Sequence, residues 1–280
     1  MSRVAIATCA GVDVDPDSPL LLDALRTLDV DASLRVWDDE SVAWDEFDLT
    51  VVRSTWDYAS RRDQFLEWAR GVPRIVNPCQ VLEYSSDKHY LADLASRGHR
   101  VVATTFCDVG HEPDFPEGDV VVKPAVGAGS MDAERFTPDE LDRAARHVAH
   151  LHASGRDALI QPYVESVDEV GERALIFIDG AFSHAMTKGA MLNVTALDRN
   201  ALYRREQMSV ASVEPDALSV GARVLREGGL DSLLYARVDL VRDGGAWAVM
   251  ELELVEPSLF LGFVPGVAGR LAEAIRSRLG

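Results

Sequence analysis

Apolar and polar positions follow two different rhythms along the chain. Over the first eighty residues, short strand signals at Val4–Ala7, Ser33–Val36, Leu49–Val52 and Ile75–Val76 are separated by stretches of helical spacing. That spacing predicts a helix over Pro19–Leu28, with Ser18 placed to cap it. It predicts another over Arg61–Arg70, with Phe65, Leu66, Trp68 and Ala69 on its apolar side. Asn77-Pro78 closes the fourth run with turn chemistry. Strands that alternate with helices predict a parallel α/β layer.

After residue 84 the rhythm changes. Ser85-Ser86-Asp87 is a helix-entry signal, and the helix it predicts spans Lys88–Arg97 and ends at Gly98. Strands are expected at Val101–Thr105, Val120–Lys123 and Ala158–Gln161. Between the last two lie a small-residue segment, Ala125–Met131, and a helix started by Thr137-Pro138-Asp139-Glu140 that runs towards His152. In the last third, Ala174–Ile178 and Ala181–Thr187 flank Asp179-Gly180, while Leu233–Val241 and Trp247–Leu254 flank Asp243-Gly244-Gly245. Both are hairpin signals and predict an antiparallel sheet. Helices are expected at Glu214–Glu227 and Gly266–Leu279. The pattern divides the chain into three parts: residues 1–84, 85–165 and 166–280.

Composition narrows the function classes. With 280 residues, 47% of them apolar, the chain can bury substantial cores. No stretch approaches the roughly 20 apolar residues of a membrane span. A net charge of −18 repels phosphate backbones, so nucleic acid is not an expected partner. Cys9, Cys79 and Cys107 are odd in number, far apart and without metal-knuckle spacing. They predict buried thiols in a reducing cytoplasm. Only three of the 28 basic residues are lysines: Lys88, Lys123 and Lys188. A chain so sparing of lysine keeps it where a compact point charge is needed; three ordinary surface lysines are the plain alternative.

The chemistry concentrates on the second hairpin. Side chains of a strand alternate between its faces, so Arg237 and Asp239 share one face, as do Glu251 and Glu253. Val238, Leu240, Leu252 and Leu254 point the other way, towards a core. Pairing in register would gather three carboxylates and a guanidinium. Carboxylates this dense repel one another without a cation, and hard oxygen ligands suit magnesium. The alternative is an acidic, solvent-facing strand. Val120–Ser130 reads as a strand ending in Lys123 and a glycine-rich loop able to bring backbone N–H groups to phosphate oxygens. It is neither a Walker A loop nor a dinucleotide fingerprint: no Gly-Lys-Ser/Thr closes it, and Asp132 stands where a third glycine would.

Taken together, these pieces resemble the ATP-grasp superfamily over roughly residues 85–260. The resemblance implies an α/β (α+β) fold with an N-terminal parallel pre-grasp domain. It places a nucleotide site between a small lid subdomain and a C-terminal antiparallel sheet. It implies that Lys88 and Lys123 bind ATP and that Ala125–Met131, with Gly127, Gly129 and Ser130, covers the phosphates. Leu159–Val164 resembles the strand holding adenine, with Gln161 at the adenine amine, Tyr163 beside it and Val164 offering backbone groups. Asp168 falls at a ribose position and Lys188 at the γ-phosphate. Asp239, Glu251 and Glu253 match the metal ligands, with Glu253 where the superfamily usually has Asn, and Arg237 matches a catalytic arginine.

Val51–Tyr58, Gln161–Tyr163, Phe182–His184 and Glu253–Ser258 look like a branch of small free-standing bacterial ligases. That branch includes the cyclo-ligase of cycloserine biosynthesis and a γ-glutamyl amino-acid ligase. The resemblance implies an ATP-dependent ligase of antibiotic or specialised amino-acid biosynthesis, using ATP with Mg2+ or Mn2+. A carboxylate is activated as an acyl phosphate, and an amine then forms an amide. Arg237 would stabilise the developing oxyanion. Arg53, Ser54, Trp56 and Asp57, at a strand's carboxyl end, and Arg173 are the expected substrate residues. Arg53, Arg173 and Lys188 for carboxylates, with Asp57 and Glu256 for ammonium groups, supply both charge signs, which favours joining two small amino acids. Ring closure within one molecule, of the O-ureido-serine type, is the alternative, and a non-catalytic nucleotide-binding protein is a third reading. His147, His150 and His152 predict no second metal site, and His184 reads as a satisfied core or cleft histidine. Exposed hairpin edges suggest a homodimer.

Overall fold

The structure, a computed structural model, describes residues 2–11, 15–189 and 208–280. The N-terminal part runs β1 (Arg3–Thr8), α1 (Asp17–Thr27), β2 (Asp31–Val36), β3 (Leu49–Ser54), α2 (Arg62–Gly71), β4 (Ile75–Val76), α3 (Cys79–Ser85) and α4 (Tyr90–Ser96). Its sheet has the order β2-β1-β3-β4 with every pair parallel, as the alternating strand and helix signals predict. Every residue of β3 is buried, so both faces of this strand are covered.

The middle part contains β5 (Thr105–Cys107), β6 (Val120–Pro124), β7 (Glu134–Phe136), α5 (Leu141–Ala153), β8 (Ala158–Pro162) and α6 (Ser166–Val170). Its four strands form a small antiparallel sheet, β5-β8-β6-β7, under α5. The last part contains β9 (Glu172–Ile178), β10 (Ala181–Lys188), β11 (Met208–Ala211), α7 (Pro215–Glu227), β12 (Tyr235–Asp243), β13 (Ala246–Glu253) and α8 (Val267–Ser277). Its five antiparallel strands are ordered β11-β10-β9-β12-β13. Both expected hairpins are present. Asp179 and Gly180, like Gly244 and Gly245, carry the positive φ that a two-residue hairpin turn requires.

The two faces of this sheet bury different things. Leu175, Phe177, Ala185, Val238, Leu240, Leu252 and Leu254 face a core that includes Ala217, Val224 and Leu225 of α7. Helix and sheet approach so closely that a Cβ on Gly221 would lie 2.8 Å from Leu175 Cδ1. The opposite face packs Ala174, Ile176, Ile178, Met186 and Tyr235 against α1, α8 and the parallel sheet. Asn77 stitches the two sheets together: its Nδ2 donates to the Tyr235 and Leu254 carbonyls at 3.0 and 2.9 Å, and its Oδ1 accepts from Leu234 N–H at 3.1 Å.

Four local expectations change. Ser18 lies inside α1 instead of capping it, and its hydroxyl donates to Asp15. Lys88 is not helical but precedes α4, where its N–H donates to the Ala125 carbonyl at 2.9 Å. Ser85 ends α3 rather than starting a helix, because its hydroxyl bridges the Leu252 carbonyl and the Leu254 N–H, each at 3.0 Å. The strand expected at Val101–Thr105 lies later, at Thr105–Cys107; Val101 makes only a bridge to Val249. No described helix is long and apolar enough to cross a membrane.

Candidate active site

Register decides where the charges stand. In the β12–β13 hairpin Arg237 pairs with Glu253 and Asp239 with Glu251, as alternation predicts. On the neighbouring strands the same face carries Glu172 of β9 and Lys188 of β10, which pair directly. Lys123, at the end of β6, reaches across from the small sheet to Glu251 at 2.6 Å. All of these groups except Asp239 line a cavity of about 630 Å³ between the small sheet, the large sheet and the N-terminal part.

Each acid in this face has a cation beside it. Asp239, fully buried, accepts from Arg237 Nε at 2.9 Å, Arg237 Nη2 at 3.0 Å and Lys188 Nζ at 2.8 Å. Burial alone would raise its carboxyl, but Arg237 and Lys188 hold it below the usual carboxylate range. Burial likewise opposes ionisation of Glu251, yet Lys123, Lys88 and Lys188 pull its carboxyl far down. Glu253 contacts Arg237 Nη2. Burial pushes Glu253 up to about 7; Arg237 opposes the rise, and Asp239 and Glu251 reinforce it. Glu172, 3.2 Å from Lys188 Nζ, is raised by burial against the pull of that lysine. Lys88 is lowered, chiefly by burial. Its Nζ donates to the Gly127 carbonyl at 2.8 Å, tying it to the glycine-rich segment.

Negative charge in surplus, on hard oxygen donors, is the chemistry a divalent cation relieves. Glu251 and Glu253 line the cavity and fit that role; Asp239 stands behind Lys188 and Arg237 and does not line it. The lysines and the glycine-rich segment suit phosphate. Lys88, Lys123, Lys188, Gly127, Gly129 and Ser130 all line the cavity. Gln161, Tyr163 and Val164 line one wall beside Val121, Met250 and Leu252, an apolar slot suited to a flat base. Gln161 Nε2 donates to Thr104 Oγ1 at 2.9 Å. Asp168 lies just outside this wall, accepting from the Tyr163 hydroxyl at 2.6 Å and from Arg135 at 3.4 Å.

The expected substrate residues divide. Trp56 lines the cavity; Arg53, Ser54, Asp57 and Arg173 do not. Arg53 is 3% exposed and donates to the Pro257 carbonyl at 3.0 Å, with Asp17 at 3.6 Å. Ser54 pairs with the Thr8 hydroxyl at 2.9 Å. Asp57 accepts from Trp37 Nε1 at 2.8 Å and also binds Arg61. Arg173 sits on the opposite face of β9, where it contacts Thr187 and reaches Glu214 at 3.4 Å. The physical reason is strand alternation, which turns Glu172 into the cavity and Arg173 away from it.

Glu256, expected as an acidic group for an ammonium, and Tyr58, at the end of the expected Arg53–Tyr58 substrate loop, line the cavity, as do Glu172 and Phe260, which were not among the expected site residues. Alternation along β9 could have found Glu172; no periodic signal marks Phe260. His184 is satisfied as expected, between Ser183 Oγ at 2.9 Å and the Leu259 carbonyl at 3.0 Å. A register shift between Phe182 and His184 separates their faces. All three cysteines are free, and burial pushes the Cys9 thiol up to about 11.

Three sheets around a lysine-lined, acid-backed cavity define an ATP-grasp enzyme, an ATP-dependent ligase. The D-alanine–D-alanine ligase from Bacillus anthracis complexed with ATP shares the fold, with a TM-score of 0.68 at 14% identity, covering 100% of this chain and 97% of that one. The crystal structure of D-cycloserine synthetase DcsG matches far more tightly, with a TM-score of 0.89 at 36% identity and 100% of both chains covered. A family model described as the N-terminal domain of D-cycloserine synthetase DcsG matches residues 4–78. The cycloserine biosynthesis protein DcsG of Streptomyces lavendulae is 40% identical over 302 aligned positions, which take in 100% of this chain and 99% of that protein. The chain belongs to the DcsG family.

Proposed function

We propose that this ligase closes a ring: it activates the carboxylate of one small amino acid, of the O-ureido-serine kind, and a nitrogen of the same molecule attacks the activated carbonyl. One observation carries the choice. Of the five charged groups expected to anchor two amino acids, Arg53, Asp57 and Arg173 are turned into the scaffold, and only Lys188 and Glu256 remain on the cavity wall. Full-length similarity to a cycloserine synthetase supports the same reading.

The residues divide the work. The Gln161–Val164 wall would receive adenine, with Asp168 beside the ribose. Lys88, Lys123 and Lys188 would exchange their present acidic partners for phosphate oxygens. Glu251 and Glu253, with Asp239 behind them, would hold Mg2+, or Mn2+ in its place. The metal supplies charge neutralisation at the transferred phosphoryl group. Arg237 is held in a fixed orientation by Asp239, and its guanidinium suits the substrate carboxylate and the oxyanion formed on attack. Residues 127–131 would cover the site and keep water from a reactive acyl phosphate. Three free thiols fit a cytoplasmic enzyme. A homodimer through sheet edges belongs to the same reading.

The test is mass spectrometry of products formed from ATP, Mg2+ and O-ureido-serine, alone and with a panel of second amino acids. Ring closure predicts ADP release and a cyclic product from the single substrate. ADP release that requires a second amine, with an adduct of two substrates less one water, would overturn it.

A further inference from the structure

The acidic side chains lining the cavity are Asp15, Asp17, Glu172, Glu251, Glu253 and Glu256. Five of them are already engaged. Asp15 accepts from Asp17 N–H at 3.0 Å and binds the Ser18 hydroxyl, and Asp17 accepts from Leu259 and Leu261 N–H at 3.0 and 2.8 Å. Glu172, Glu251 and Glu253 face Lys188, Lys123 and Arg237. Glu256 alone has no hydrogen bond or ion pair among the described residues.

Its direction is set by an unusually firm backbone. The carbonyl before it, Val255, accepts from the Tyr235 hydroxyl at 2.9 Å. The Pro257 carbonyl accepts from Arg53 at 3.0 Å and the Ser258 carbonyl from Arg237 at 3.3 Å. Asp17 holds the Leu259 N–H, and His184 donates to the Leu259 carbonyl at 3.0 Å. A segment held on both sides of a residue with no partner of its own presents that residue to a ligand. Tyr58 lies close enough to feel its charge, and Trp56, Ser258 and Phe260 line the same cavity.

We propose that Glu256 anchors the α-ammonium group of the amino-acid substrate. The inference rests on the ligase reading above and adds a specificity determinant to it. Arg237 supplies the cation for the substrate's carboxylate; a zwitterion needs an anion at its other end, and Glu256 is the cavity acid not already committed. Burial and the Glu253 charge raise its carboxyl well above the usual range, against the pull of Arg237, Arg53 and Lys88. A cationic ligand relieves that cost, so ammonium binding and ionisation of Glu256 favour each other. On this account Arg53 is a positioning residue, holding the backbone that aims Glu256.

The experiment compares O-ureido-serine with 3-(ureidooxy)propanoate, which lacks only the α-amino group. Both are tested on the wild-type chain and Glu256→Gln, by calorimetric binding in the presence of ADP and Mg2+ and by ADP release. The wild-type chain should bind the amino acid about ten- to a hundredfold more tightly than the analogue, from a charge-assisted hydrogen bond. In Glu256→Gln that preference should fall to within about threefold, with ATP KM unchanged, and Glu256→Asp should restore part of it. An undiminished preference in Glu256→Gln, or an equal loss for both ligands, would overturn the anchor. Wild-type binding without ADP release would instead overturn the ligase reading, while the binding ratio still judges the anchor.

Discussion

At the proposed nucleotide end of the cavity the charged side chains stand mostly on strands; at the proposed amino-acid end the walls come from segments between elements. Lys123, Glu172, Lys188, Arg237, Asp239, Glu251 and Glu253 lie on β6, β9, β10, β12 and β13, where register fixes who faces whom. Trp56, Tyr58, Glu256, Ser258 and Phe260 instead follow β3 or β13 and are aimed by long-range bonds, such as Arg53 to Pro257 across 204 residues. In the proposed reading the first end serves phosphate and metal. In the same reading the second selects the amino acid, because a loop can be re-aimed without disturbing a ladder.

The contrast breaks first if the strand-borne acids are dispensable. Glu251→Ala should reduce turnover by about a thousandfold or more while circular dichroism and the melting transition stay close to wild type. Substantial activity in that variant would remove the metal assignment. Next, Arg53→Ala should act on stability. It strips a buried carbonyl of its donor and Asp17 of its nearby cation, at a cost of about 3 kcal/mol by urea denaturation. A variant of unchanged stability would return Arg53 to the list of substrate contacts. Lys123→Ala should weaken ATP binding by about ten- to a hundredfold in calorimetry, with the amino-acid KM nearly unchanged.

The smallest effect is one of pH. Glu253 is pushed up to about 7 in the folded chain, against an ordinary value of 4.5. Folding therefore takes up a proton between those values, and the resulting stabilisation, complete below pH 4.5, is lost as pH rises through 7. Glu172 and Glu256 are raised as well, and His184 is lowered, so the wild-type curve mixes signs. Subtracting Glu253→Gln isolates one group: the wild type should lose stability relative to that variant between pH 5 and pH 8. Parallel melting curves across that range would contradict the charge surplus described for the site.

How much of this was legible in the sequence depended on whether a period existed to read. Asp179-Gly180 and Asp243-Gly244-Gly245 marked the hairpins, and period-two alternation then put Arg237, Asp239, Glu251 and Glu253 on one face. Alternation did not show that Lys188 and Arg237 would cover Asp239, since that depends on the neighbouring strand. In β3 the signal failed outright. All six residues are buried, so nothing in the pattern distinguishes the direction of Arg53 from that of Ser54, and chemical type alone suggested substrate. Arg173 shows the opposite error: alternation was available on β9, and it favours Glu172 as the cavity residue. Glu256 lies beyond the end of β13, with no period to follow; chemical type alone suggested it for an ammonium, and only the assembled fold brings it near Tyr58 on the cavity wall.

The central claim is that ATP activates a substrate carboxylate at this site. The direct measurement is 31P NMR of the phosphate released from O-ureido-serine labelled with 18O in both carboxylate oxygens. Passage through an acyl phosphate predicts one 18O in each phosphate formed, seen as an upfield isotope shift, with the second label retained in the cyclic product. Unlabelled phosphate accompanying full product formation would contradict the account.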